Sequence, residues 1–228
     1  MKNSSTITFL TIVFLVVNIS VVAQNSTTND PDWKLIKTKK KGDGWNLYKR
    51  NVSGAKFQEV KIVGKINASA QVAQTSSMNM FIDSSVYVSK KGKSLGWFTV
   101  FKHTEDEIEL YSFMKGNFLY KDRDVVVRYW TFEDSTNNIW GVKWHQIDKE
   151  GYAASDSIIR MPMDKGNWQF QMIDSTSCMA ELSFQFHPGG TPPTWLINMI
   201  VKYYAPHEFE YLKGICENES EEVASNQE

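Results

Sequence analysis

The 228-residue chain carries 25 Lys and Arg against 26 Asp and Glu. That balance argues against nucleic acid, whose binding depends on clustered basic side chains set against phosphates. Cys178 and Cys216 are the only cysteines, too few for a disulfide framework. His103, His145, His187 and His207 are scattered without HExxH or His/Cys spacing, so neither a metal site nor a cofactor is expected.

The first 23 residues are expected to be a secretory signal peptide. Lys2 precedes an apolar run from Ile7 to Val17, and Val21, Val22 and Ala23 make a small-residue cleavage site. The run is short for a membrane span, which needs about 20 apolar residues. An uncleaved N-terminal anchor is the alternative. Cleavage leaves 205 residues, enough for one domain with a sizeable core, destined for the periplasm or for secretion. Residues 24–31 are polar and read as a flexible leader.

From Trp33 to Lys37 the pattern fits a short helix, with Asp30 or Asp32 as its cap. KTKKKGDGW then gives a basic run and an Asp-Gly turn; a solvated face and a membrane-attracting patch are its two readings. WNLYKRNV and KFQEVKIVGKIN alternate as strands. ASAQVAQTSSMNMFID has helical spacing at Val72, Met78 and Phe81. Seven strand candidates follow: LGWFTVFK, EIELYSFM, DRDVVVRYWTF, NIWGVKWHQI, ASDSIIRMP, NWQFQMID and SCMAELSFQF. Pro192 and Pro193 suit a helix start, and Leu196, Met199, Ile200 and Tyr203 repeat at helical spacing. Pro206 should bend or break this helix, and HEFEYLKGI forms a second segment. Residues 32–215 are thus one domain, and the acidic stretch 216–228 is expected to be a disordered tail. The pattern is an α+β domain, one antiparallel sheet with a terminal helix across it. Cys178 and Cys216 lie at ends that strand and helix lengths allow to meet, as one bridge or as two free thiols.

GDGWNLYKR, DRDVVVRYW, SDSIIRMPMDKGNWQF and FHPGGTPPTWLIN occur in the order and spacing of a START (StAR-related lipid transfer) domain, and the chain resembles that family from about Trp33 to Gly214. The resemblance implies a helix-grip fold, a curved antiparallel sheet wrapped around a long C-terminal helix that encloses a hydrophobic tunnel for one lipid or sterol-like molecule. It implies no catalytic residues. It also implies that the loop from Met114 to Asp122 joins the helix in controlling access. By position, Arg123, Asp124 and Arg160 match family positions, as do Gly189, Gly190, Pro192, Pro193 and Asn198. Some members pair a basic and an acidic residue inside the tunnel. Glu109 falls near the acidic position, but Tyr129 holds the basic one and Arg128 is one residue out of phase. A one-residue step changes the face of a strand.

The expected tunnel wall is Trp97, Tyr111, Phe113, Val125, Val127, Tyr129, Phe170 and Met172 from the strands, with Leu196, Met199, Ile200 and Tyr203 from the helix. The same residues would also build a solid core. Glu109, Arg123 and Arg160 are the candidate polar contacts, with a structural charge network as the other reading for the arginines. The expected function is non-catalytic binding, with transfer or sensing, by a monomer that contacts membranes transiently. The alternatives are a polyketide cyclase/aromatase-type enzyme on the same scaffold, using Glu109, Tyr129 or His145, and an interaction module with a vestigial cavity. His187 reads as a local hydrogen-bond partner, and no GxSxG elbow is present.

Overall fold

The structure is a computed structural model that describes residues 32–87, 96–116, 121–152 and 157–225, all within the compact unit Asp32–Glu228. The export signal over 1–23 and the leader over 24–31 lie outside these residues. So do 117–120 of the access loop, 153–156 of one strand candidate and 226–228 of the acidic tail.

The chain folds in the order β1 (Lys34–Lys39), β2 (Trp45–Arg50), β3 (Glu59–Ile66), α1 (Ala70–Met80), a 3₁₀ turn (Ser84–Tyr87), β4 (Gly96–His103), β5 (Glu107–Met114) and β6 (Arg123–Asp134). Then come β7 (Ile139–Gln146), β8 (Ile159–Arg160), β9 (Met163–Asp174), β10 (Ser177–His187) and α2 (Thr194–Ser225). The strands form one curved, unclosed ten-stranded sheet in the order β1-β2-β3-β10-β9-β7-β6-β5-β4, with β8 pairing in parallel beside β6. All other pairings are antiparallel.

Three sequence expectations change. Residues 34–39 are an edge strand rather than a helix. Pairing with β2 satisfies one row of their amides, and the Trp33 ring lies between the cations of Arg50 (4.5 Å) and Lys61 (4.4 Å). Three lysines on this strand discourage further edge pairing. Of the segment read as the strand 154–162, the described residues pair at Ile159 and Arg160 only. The third change concerns α2, which runs through Pro206 and on to Ser225, past the point where the sequence reads as a tail. Proline removes one helical hydrogen bond, but the buried stripe Val201, Ala205, Phe209, Leu212 and Cys216 crosses it at helical spacing. Burial of that stripe outweighs the lost bond. Beyond Cys216, Glu217 accepts from the Asn67 backbone and side-chain amides (3.2 and 3.0 Å), and Glu219 accepts from the Ser76 hydroxyl (2.6 Å).

Helix α1 begins at Ser69, whose hydroxyl accepts the Val72 N–H at 3.2 Å, a side-chain cap on the first turn. Helix α2 begins where the Pro193 carbonyl accepts the N–H groups of Leu196 (3.0 Å) and Ile197 (3.4 Å). Gly189, at φ +74°, takes the left-handed turn that brings the chain from β10 to this helix. A Cβ there would sit 2.4 Å from Ile159 Cγ2. Cys178 and Cys216 are both buried free thiols. Burial raises both to about 12, and Cys216 adds to the rise at Cys178, so the two lie near each other.

Candidate functional site: the wall between the sheet and the C-terminal helix

Antiparallel partners share a face of the sheet, so the register sorts every strand residue. Val127 stands opposite Leu110, Tyr129 opposite Ile108 and Trp144, Val142 opposite Trp168, Trp140 opposite Phe170, and Phe170 opposite Ala180. Val127, Tyr129, Trp140, Trp144, Trp168, Phe170 and Ala180 share a core cluster with the buried stripe of α2, while Ile108, Leu110 and Val142 pack on the same face beneath Met78 of α1, so this is the concave, helix-side face. Val125, Val127, Tyr129, Phe170 and Met172 belong to it. Tyr129 stacks on Phe81 at 4.0 Å, and Trp168 stacks on Phe170 at 5.7 Å.

Trp97, Tyr111 and Phe113 do not join this wall. Tyr111 pairs with Val126 and Phe113 with Asp124, one residue out of phase with Val125 and Val127, which places them on the outer face. There they form an aromatic cluster with Tyr152: Trp97 to Tyr111 is 5.1 Å, Trp97 to Phe113 is 5.6 Å and Tyr111 to Tyr152 is 5.1 Å. The error is physical. β5 is apolar on both faces because a loop covers its outer one, so alternation could not reveal its phase.

The polar candidates are also redistributed. Glu109 lies on the outer face. It accepts from Arg128 Nε (2.9 Å) and Lys149 Nζ (2.7 Å), and the bonds from Lys149 and then Arg128 hold its carboxyl below the usual range. The concave face therefore has no Glu109–Arg128 pair, and Tyr129 takes the inward position. Arg160 grips Asp124 through two bonds (2.8 and 3.0 Å) and also donates to the Tyr152 carbonyl, which pins the covering loop to β6. Tyr111 donates to the same Asp124, and burial, with Asp124 beside it, pushes its phenol up to about 12. Arg123 is on the wall side but is committed to the carbonyls of Pro188 and Lys121 (2.7 Å each). His187 Nδ1 accepts the Gly189 N–H at 3.0 Å, a local turn contact. His145 pairs with Arg128 on the outer face.

On α2, Leu196 is buried and Ile200 half-buried against the core, whereas Met199 is 54% and Tyr203 70% exposed. With Trp195, they make a row at four-residue spacing that points away from the sheet. Helical spacing marks two apolar rows on this helix, and only the packing decides which one faces inward.

The two halves of α2 are held differently. Glu210 accepts from Trp45 Nε1 at 2.6 Å and from Lys39, Tyr211 donates to Asp83, and Lys213 reaches the carbonyls of Asp43 (3.2 Å) and Lys65 (3.1 Å). The helix packs closely on β3 and α1. Under its first turns lies a pocket of about 70 Å³, bordered by Ile36, Phe57, Val60, Phe186, Ile197 and Val201, with Lys49 and Lys202 at its rim.

The sequence reading missed two carboxyls. Asp164 projects inward from β9 opposite Phe186, and Glu208 projects from α2 beside Phe209, whose ring lies 5.9 Å from that of Trp168. Trp144 Nε1 donates to Asp164 Oδ1 at 3.1 Å. Burial pushes Asp164 up to about 6. Burial also pushes Glu208 up to about 7, with the Tyr204 hydroxyl bond opposing the rise and the Asp164 charge adding to it. Asp164 sits in MPMDKGNW, ahead of the strand expected from Asn167, and Glu208 in HEFEYLKGI, expected only as a second segment after Pro206. Extending the strand phase back through Gly166 is the signal that would have turned Asp164 inward.

No protein-family model and no curated protein sequence matches the chain. Several solved structures are similar in shape. A STAR-related lipid transfer protein from Xanthomonas axonopodis is 19% identical with a TM-score of 0.63, covering 81% of this chain and 98% of that one. Human STARD10 is 15% identical at 0.62, over 81% and 73%. Human StAR-related lipid transfer protein 5 is 10% identical at 0.59, over 86% and 89%. The chain has the START-like helix-grip α+β fold.

Proposed function

We propose that this protein binds one lipid or other hydrophobic ligand without chemical change, between the concave sheet face and α2, and carries or senses it. The observation behind this reading is an aromatic and aliphatic wall facing a helix whose polar ties, among the described residues, gather in its C-terminal half. The polar ties of α2 to the rest of the fold cluster on Glu210, Tyr211, Lys213, Glu217 and Glu219. The first turns rest on Leu196, Ile197 and Val201.

Removing a ligand chain of ~16 carbons from a bilayer into water costs on the order of 12 kcal/mol, so a carrier must offer an equivalent apolar wall. Ligand sites occupy roughly 300–1,000 Å³, far above the 70 Å³ under the start of α2. Admission therefore requires the N-terminal half of α2 to lift. The exposed row Trp195, Met199 and Tyr203, with Lys202 beside it, is the surface we assign to transient membrane contact.

Export to the periplasm or the exterior, as a monomer, completes the proposal. The enzymatic alternative on this scaffold loses two of its candidates, because Glu109 and His145 lie on the outer face and Tyr129 alone is turned inward.

The test is uptake of a fluorescent lipid from vesicles by the wild type and by Ile200→Trp, which fills the space beneath the helix. The variant is expected to fold normally and to lose uptake at least ten-fold. Unchanged uptake would show that the ligand, if any, binds elsewhere.

A further inference from the structure

The pocket beneath the first turns of α2 has an apolar floor and a rim of one sign. Phe57, Val60, Ile197 and Val201 contribute to the floor, and Lys49, Lys56 and Lys202 stand around it. No Asp or Glu is among the lining residues, and the inward carboxyls Asp164 and Glu208 lie outside them. Several lysines elsewhere in the fold are answered by acids: Lys39 pairs with Glu210, Lys61 with Glu181, Lys149 with Glu109 and Lys213 with Glu217. Among the described residues, no carboxylate pairs with Lys49, Lys56 or Lys202.

The backbone fixes where these charges stand. Lys49 lies opposite Val60 on β3, so it shares the concave face, and it also lies opposite Lys34 on β1. Like charges directly across antiparallel strands are destabilising, and the fold carries that repulsion at the mouth of the pocket. The Lys56 ammonium lies 5.4 Å from the centre of the Phe57 ring, over the floor itself. Asn198 and Lys202, one helical turn apart, border both this pocket and the exposed row of Trp195, Met199 and Tyr203. The positive end of the α2 dipole, at Thr194 on the same lining, adds to the field.

An apolar floor inside a ring of cations fits a molecule with an apolar chain and a negative head. A neutral head leaves the repulsion among the lysines in place, and a cationic head adds to it. A carboxylate or phosphate at the rim relieves it and accepts charge-assisted hydrogen bonds from the ammonium groups. A cleft lined by one sign of charge also concentrates ions of the opposite sign at its mouth. The pocket of about 70 Å³ is smaller than a whole ligand. The rest of the chain therefore lies under α2 once its first turns lift.

We propose that Lys49, Lys56 and Lys202 form the polar end of the ligand site and select a single-chain amphiphile with an anionic head, a carboxylate or a phosphate. This assignment rests on the ligand-binding reading above and narrows it to a chemical class. Lys202, which also borders the exposed row, is the first of the three that a head leaving a bilayer meets.

Titration calorimetry of the purified protein with dodecanoate, dodecyl phosphate, dodecanol and dodecylammonium tests this, because the four share one alkyl chain. The titrations are run at neutral pH and low salt, with monomeric ligand and no vesicles. Both anions are expected to bind about ten-fold more tightly than the alcohol, and the ammonium more weakly than it. The preference should shrink as salt is raised. In Lys49→Gln/Lys202→Gln the anion-to-alcohol ratio should fall to within about three-fold. In Lys49→Glu/Lys202→Glu the ammonium should overtake dodecanoate, a reversal that general loss of binding cannot produce. Inorganic phosphate alone should not displace dodecanoate; displacement would mark a plain anion site and overturn the amphiphile. Preference for vesicles of acidic lipid, with none among the monomers, would assign the lysines to the bilayer and overturn the proposal. Equal binding of dodecanoate and dodecanol by the wild type, or an unchanged ratio in the glutamine variant, overturns the anionic class and leaves the ligand-binding reading standing. Binding of none of the four overturns both.

Discussion

Asp164 and Glu208 couple the protein's stability to pH. Each carboxyl has a folded pKa above its ordinary value, about 6 and about 7, because burial disfavours its charged form. The folded state therefore holds protons that the unfolded chain releases. Stability from these groups is full below their ordinary pKa near 4 and is lost as pH rises through 6 to 7. The ligand-free thermal midpoint should fall between about pH 5 and pH 8, by an amount on the order of 1–3 kcal/mol in stability. Asp164→Asn/Glu208→Gln should flatten this slope, and an equal slope in the variant would contradict the assignment. Gly189 makes a second, independent prediction. Its left-handed backbone and the 2.4 Å approach to Ile159 mean that Gly189→Ala should destabilise the fold by about 1–3 kcal/mol in chemical denaturation. The sequence pointed to a turn here through HPGG, but it could not show that β8 packs against it.

Helix α2 is one element with two mechanical regimes. Its C-terminal half buries Phe209, Leu212 and Cys216 completely and carries most of the polar ties. Phe209→Ala should cost about 3–5 kcal/mol by opening a cavity against Trp168. Trp195→Ser/Tyr203→Ser, on the exposed row, should change stability by no more than about 0.5 kcal/mol while lowering partition to lipid vesicles several-fold. Native-state hydrogen exchange should find amides 197–204 opening well before 208–217, and a uniform rate along the helix would remove the lid.

Element positions were largely legible in the sequence: EIELYSFM coincides with β5, and β6, β7 and β10 begin within a residue or so of their expected starts. Element faces were less so. Tyr111 and Phe113 sit on an outer face where Tyr152 and Trp97 cover them, and Met199 and Tyr203 occupy the outer of two apolar helix rows. In both cases burial by a distant segment, or its absence, decides the face, and local periodicity does not contain it. The run through Pro206 is the same lesson, because long-range packing of Phe209 and Leu212 holds a helix that local chemistry alone would end.

At the scale of the molecule, the unclosed sheet and the long helix leave a concavity whose wall is aromatic and whose polar groups are few. That distribution suits a greasy ligand with one polar end. The interior has no Glu109–Arg128 pair and presents Tyr129, Asp164 and Glu208 instead. The measurement that tests this most directly is native mass spectrometry of freshly purified mature protein, followed by solvent extraction and identification of whatever is released. The account predicts one hydrophobic molecule per chain, lost in Ile200→Trp. Protein that is repeatedly ligand-free and takes up nothing from vesicles would contradict it.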